Sequence, residues 1–236
     1  IDSVDEDGYT ALMMAVARDH KKVVEWLLEN GANIDIQQQQ FGRTALTIAV
    51  EENNTEIAQL LIGKNANLNI KTKDGHTALM LAALYNRENI VEALIASGAN
   101  IKEKNSESKT AFELAKNMHP QSNVAKLLFI ADVLFEGDLD RVYKGFTALM
   151  LAAKLGKIQS VGQLIEQGAD KTLKNQGQLA YYIAEKNGHA NIMQLLLENH
   201  YVDLRQKLFD LAGDNEIEEL KRFIEKHPEY IDSVDE

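Results

Sequence analysis

The side chains with the greatest chemical reach in this sequence are six histidines and several short runs of carboxylates. His20, His76, His119, His189, His200 and His227 stand far apart. None has the H-E-x-x-H spacing that places two imidazoles on one helix face around zinc. Glu51-Glu52 and the runs 136–140 and 214–219 bring acids together, but such acids read as solvated faces and helix starts, where they complement the helix dipole. Cysteine is absent, which removes disulfides, thiolate zinc sites and Cys nucleophiles together. No G-x-S-x-G elbow and no phosphate-binding G-x-x-x-x-G-K-[ST] loop occurs. Gly63-Lys64 in LIGKNAN reads as a helix end. No residue is assigned to catalysis, a cofactor or a metal, and a non-enzyme is expected.

The elements that carry these residues are short helices. Two prolines and 6% aromatic content suit small aliphatic helical cores better than a sandwich or barrel. A net charge of −11 repels phosphate backbones, so nucleic acid is not an expected partner. No apolar run reaches membrane-spanning length, and no membrane partner is expected. The cysteine-free composition suits a reducing compartment, so a cytoplasmic location is expected. The opening IDSVDEDG is acidic, unlike a secretory leader, and the missing initiator Met reads as a natural start removed.

One pattern recurs: GYTALMMAVARDH at 8–20, GRTALTIAVEENN at 42–54, GHTALMLAALYNR at 75–87, KTAFELAKNM at 109–118, GFTALMLAAKLGK at 145–157 and GQLAYYIAEKNGH at 177–189. The anchors Thr10, Thr44, Thr77, Thr110, Thr147 and Leu179 lie 34, 33, 33, 37 and 32 residues apart. A period of this length marks a repeat array. Thr before A-L-x-x-A stands where its hydroxyl can cap a free N–H. Each second segment has apolar residues at i, i+3, i+4 spacing, as in Val23, Trp26 and Leu27. Gly31, Gly98 and Gly168 then stop the second helix. No unit can bury its apolar faces alone, so stacking supplies the core.

These motifs resemble the ankyrin repeat family over nearly the whole chain. The resemblance rests on T-A-L-M-x-A, the G-A-N-I-D segment and the 33-residue period. It implies an all-α solenoid of about seven helix-turn-helix units with short extended fingers. The family's T-P-L-H is T-A-L-M, T-A-L-T or T-A-F-E here, which marks a diverged version. His189, in the family's Gly-His position, reads as structural. Trp26 reads as core or semi-exposed packing on a second helix.

The period slips twice. QQQQ at 37–40 lengthens one finger and reads as a polar bulge. Between Thr110 and Thr147, FIADVLFEGDLDRV at 129–142 reads as a fresh first helix, a Gly137-Asp138 turn and the start of a second helix. Roughly half a unit is then missing, through residues absent near 142–143 or through a joint in the solenoid. The expected division is 1–128 as a first stack, 129–146 as an irregular or incomplete unit, and 147–236 as a second stack with a terminal unit at 207–226.

Residues 1–6 and 231–236 are both IDSVDE. The C-terminal finger thus reads as flowing into the N-terminal one, through a super-repeat, a permutation or chance. Head-to-tail self-association through the terminal units is an expectation.

The family's concave surface, carried over by register, places Tyr9, Phe41, Arg43, His76 and Phe146 before first helices. It places Met13, Arg18, Thr47, Met80, Tyr85, Met150, Leu155 and Tyr182 on the exposed side of those helices. Methionine adapts and aromatic side chains anchor. The expected function is a protein-interaction module binding a partner protein through that surface. A regulatory or targeting region of a larger enzyme and a self-assembling array are the alternatives. Asn, Ile, Lys and Gln usage fits an AT-rich source, such as an intracellular bacterium that directs ankyrin proteins into its host.

Overall fold

A computed structural model describes residues 1–198. The secondary structure is almost wholly helical, in consecutive pairs. The pairs are α1 (Ala11–Ala17) with α2 (Lys21–Glu29), α3 (Ala45–Glu51) with α4 (Thr55–Gly63), α5 (Ala78–Leu84) with α6 (Glu88–Ala96), and α7 (Ala111–Met118) with α8 (Asn123–Glu136). After the two-residue strands β1 (Val142–Tyr143) and β2 (Phe146–Thr147) come α9 (Ala148–Lys154) with α10 (Ile158–Glu166). Then α11 (Ala180–Lys186) pairs with helical residues 190–198. The expected unit at 207–226 lies outside the described residues. The chain divides into two compact units, 1–143 and 144–236.

The threonine anchors act as the sequence implies. Thr10, Thr44, Thr77, Thr110 and Thr147 each accept a bond from the backbone N–H three residues on. This satisfies one of the free donors of the first turn. Ala45, Ala78, Ala111, Ala148 and Ala180 follow the anchors and are all buried. A methyl group there lets neighbouring inner helices approach closely. In the first unit α1 packs on α3, α3 on α5 and α5 on α7, while α2, α4, α6 and α8 form a parallel outer row. In the second, α9 packs on both α10 and α11.

Gly31, Gly98 and Gly168 end second helices at φ 82°, 81° and 91°. Gly156 is needed for a different reason. A Cβ there would stand 2.7 Å from the His189 ring, so the glycine makes room for the next unit's histidine.

The buried stripe of α2 is Val24 and Leu27, not the Val23 and Trp26 suggested by spacing. Residues 123–136 form one continuous helix, not a second helix followed by a fresh first one. Val124, Leu127, Leu128, Ile130 and Val133 keep an unbroken buried side, and no breaker occurs before Gly137. Gly137 stops the helix at φ 76°, its N–H on Val133 O. Arg141 and Val142 are therefore not helical. Arg141 and Lys102 both pair with Asp132 and Glu136, pinning the loop to α8. Tyr143 donates to Pro120 O at 2.7 Å, and its ring packs on Phe112 and Phe129.

QQQQ is more than a polar bulge. Gln38 is buried, donating to Asp7 O at 2.7 Å and accepting from Phe41 N–H at 2.7 Å. Gln37 donates to Gly42 O and to Lys71 O in the next unit. Only Gln39 and Gln40 face solvent without such roles.

Candidate interaction surface

The loops before the inner helices stand side by side in the first unit. Gln38 reaches back to Asp7, Lys73 N–H donates to Phe41 O at 2.9 Å, and Ser106 N–H donates to Asp74 O. This row presents Tyr9, Phe41, Arg43 and His76. Phe41 is exposed; Tyr9, Arg43 and His76 are half-buried. His76 Nε2 lies 3.1 Å from Asn105 Nδ2.

The inner helices contribute fewer exposed residues than their spacing suggests. Met13, Met80 and Met150 are only 1–2% exposed and belong to the core. Thr47, at the same register, is also buried and completes a capping box with Thr44. The third residue is thus buried in α1, α3, α5 and α9, whereas its counterparts Glu113 in α7 and Tyr182 in α11 are exposed. These three methionines are therefore removed from the candidate surface. Arg18, Tyr85 and Tyr182 are exposed, and Leu155 and Phe146 half-buried.

In the first unit, five side chains make a continuous strip. The Arg43 guanidinium lies 4.8 Å over the Phe41 ring, and its Nε is 3.1 Å from Glu51 Oε2. The Glu51 backbone carbonyl in turn accepts from Arg87 Nη2 at 3.3 Å. Arg87 then lies 5.9 Å over Tyr85. Glu51 thus joins the two ring–arginine pairs, its carboxylate on Arg43 and its backbone carbonyl on Arg87. Burial pushes the Glu51 carboxyl above its ordinary value, aided by Glu52 and opposed by Arg43. In the second unit Lys154 Nζ sits 4.9 Å over Phe146, and Tyr181 stacks on Tyr182 at 4.4 Å. Glu51, Arg87 and Lys154 escape a reading of the sequence, because they hold the aromatic rings instead of standing in their register. The basic residue two positions after Phe41 and Tyr85 is the one signal that marks the pairs.

Trp26 is 59% exposed, beyond semi-exposed packing, and stands on the outer helix α2 away from this strip. Among the described residues no three His, Cys, Asp or Glu gather as metal ligands, and no helix is long and apolar enough to cross a membrane.

The family model for ankyrin repeats, three copies, matches residues 1–39, 13–105 and 107–207. The chain belongs to the ankyrin repeat family. A search of curated proteins returned no match. Ankyrin repeats generally act as protein-interaction modules.

Proposed function

We propose that this ankyrin protein binds a partner protein through the strip from Phe41 to Tyr85, and that the binding is non-catalytic. The observation that carries the reading is that two exposed rings are each held by an arginine, with both arginines fixed on Glu51. Tyrosine and arginine dominate the energetics of protein interfaces, and a ring fixed in advance loses little freedom on binding. Tyr9, Arg18 and His76 border the strip. Phe146, Leu155 and Tyr182 form the corresponding surface of the second unit. The loop row serves as the array's fingers, and the sequence pattern at 207–236 is that of a seventh unit.

Affinity capture with the full chain tests the reading, followed by direct titration of the purified partner. Phe41→Ser with Tyr85→Ser should weaken that partner's binding at least tenfold while leaving the thermal midpoint nearly unchanged. Unchanged binding would overturn the assignment of the strip.

A further inference from the structure

The strip holds a charge that has no counter-charge. Arg87 is half-buried, and its Nε is the one buried side-chain nitrogen or oxygen among the described residues without a hydrogen-bond partner. Its Nη2 reaches the Glu51 backbone carbonyl, a neutral acceptor, at 3.3 Å. Among the described residues no carboxylate stands within ion-pair distance of it, whereas Arg43 has Glu51, and Arg141 has Asp132 and Glu136. Taking a guanidinium out of water without an opposite charge is costly, and one neutral carbonyl offsets little of that cost. The position therefore gains from an anion that a ligand brings.

The neighbours of Arg87 say which anion fits. Tyr85 and Phe41 are each 44% exposed, with Arg87 lying over one ring and Arg43 over the other. Lys73 adds a cation at the Phe41 end. Its backbone N–H donates to Phe41 O, and its side chain is exposed. Arg18 borders the strip, so three of the four arginines among residues 1–198 stand in it or beside it. A guanidinium receives a carboxylate on a planar pair of N–H groups and leaves its face to a ring. Two exposed rings ask for apolar side chains next to the acid, which a peptide offers and an inorganic ion does not. The net charge of −11, with Glu51 and Glu52 close by, opposes a long acidic run or a phosphate backbone. One or two carboxylates set among apolar residues satisfy both conditions.

We propose that the strip takes a short segment of the partner in which a carboxylate, flanked by aromatic or aliphatic residues, pairs with Arg87 beside Tyr85. This rests on the strip being the partner surface. The carboxylate supplies the charge that Arg87 lacks in the free chain. A second acid meets Arg43 and Lys73, and the flanking side chains pack on Tyr85 and Phe41.

Two capped synthetic peptides test this on the full chain: GSFELEFSG and its twin GSFQLQFSG, in which glutamine keeps the shape and removes the charge. Calorimetric titration up to about 1 mM covers a Kd of about 100 µM. The acidic peptide should bind about tenfold more tightly than its twin, with the preference shrinking as salt is raised. Arg87→Met should make the two peptides bind alike. Arg87→Lys should keep part of the preference, since lysine has the charge without the planar fork. Lys73→Gln, at an exposed side chain, should lower it about threefold. Lys64→Gln removes a cation at the end of α4 and should leave it unchanged.

Equal wild-type affinity for the two peptides would overturn the proposal, as would no binding of the acidic one over that range. So would a preference that survives Arg87→Met or falls as much with Lys64→Gln as with Lys73→Gln. If Arg87→Met does not fold, a preference unmoved by both Arg87→Lys and Lys73→Gln would overturn it instead. The strip itself is judged separately, by Phe41→Ser with Tyr85→Ser on the purified partner. A partner lost to that pair, with no preference between the peptides, would keep the strip and discard the acidic ligand.

Discussion

Asn54 Nδ2 donates to Val16 O at 2.8 Å, so the residue that starts one outer helix closes the end of the inner helix one unit back. Arg87 reaches Glu51 O and His189 reaches Lys154 O at 3.2 Å in the same way, and His119, at the end of α7, reaches Leu84 O at 2.9 Å. Amide, guanidinium and imidazole differ in charge, yet each brings an N–H donor to a carbonyl of the last turn of the inner helix one unit back.

Asn54→Ala should therefore destabilise the chain by about 1–2 kcal/mol, the cost of a lost bond at a half-buried site. Asn54→Asp should cost more, because a carboxylate cannot donate to Val16 O. Urea unfolding of the two variants measures both effects.

Met80 and Tyr85 lie five residues apart and should respond oppositely. Met80→Ala should cost about 2–5 kcal/mol as a core truncation, whereas Tyr85→Ser should stay within about 0.5 kcal/mol. Thermal unfolding of each variant provides the comparison. Equal losses would mean that Tyr85 is packed, not presented.

Glu51 and Glu136 should give opposite dependences on pH. Burial raises the folded-state value of Glu51 above its ordinary 4.5. Its contribution is complete below that pH and is lost as pH rises through the folded value. Glu51→Gln should remove this loss, and Arg43→Met should deepen it by raising Glu51 further. Glu136 is held low, chiefly by its hydrogen bond from Lys102. Its contribution is present above 4.5 and lost as pH falls through the depressed value. Stability measured against pH for Glu51→Gln and Glu136→Gln should show the two signs, and carboxyl NMR titration locates each midpoint.

Asp132 is the most buried member of the network that pins the loop after α8. Asp132→Asn leaves Lys102 and Arg141 sharing the single carboxylate of Glu136. The expected cost is about 1–3 kcal/mol. Amide exchange should show faster opening at 137–143 than at 78–94, and a uniform change would count against a local clamp.

The helix pairs were legible because the threonine anchors and the 33-residue period state the same unit several times. The exposed faces were harder to read. A rule that gives a helix one buried side works for Leu12 and Leu79, but an inner helix in a row has neighbours on two sides. Met13, Thr47 and Met80 fall on the second of these, where spacing alone cannot separate core from surface. The joint after α8 misled for a related reason. Apolar spacing that continues from Val124 to Val133 fits one long helix as well as two short ones, and only Gly137 marks the true end. Gln38 was hidden because four identical residues give no sign of which one turns inward.

Leu179 stands alone among the six anchors in lacking a hydroxyl, and α11 begins without a side-chain cap. The amide hydrogen of Tyr182 therefore has no counterpart to the oxygen that shields those of Met13, Met80 and Met150. Under a steady mechanical pull or slow warming, the second unit should begin to unzip at this turn.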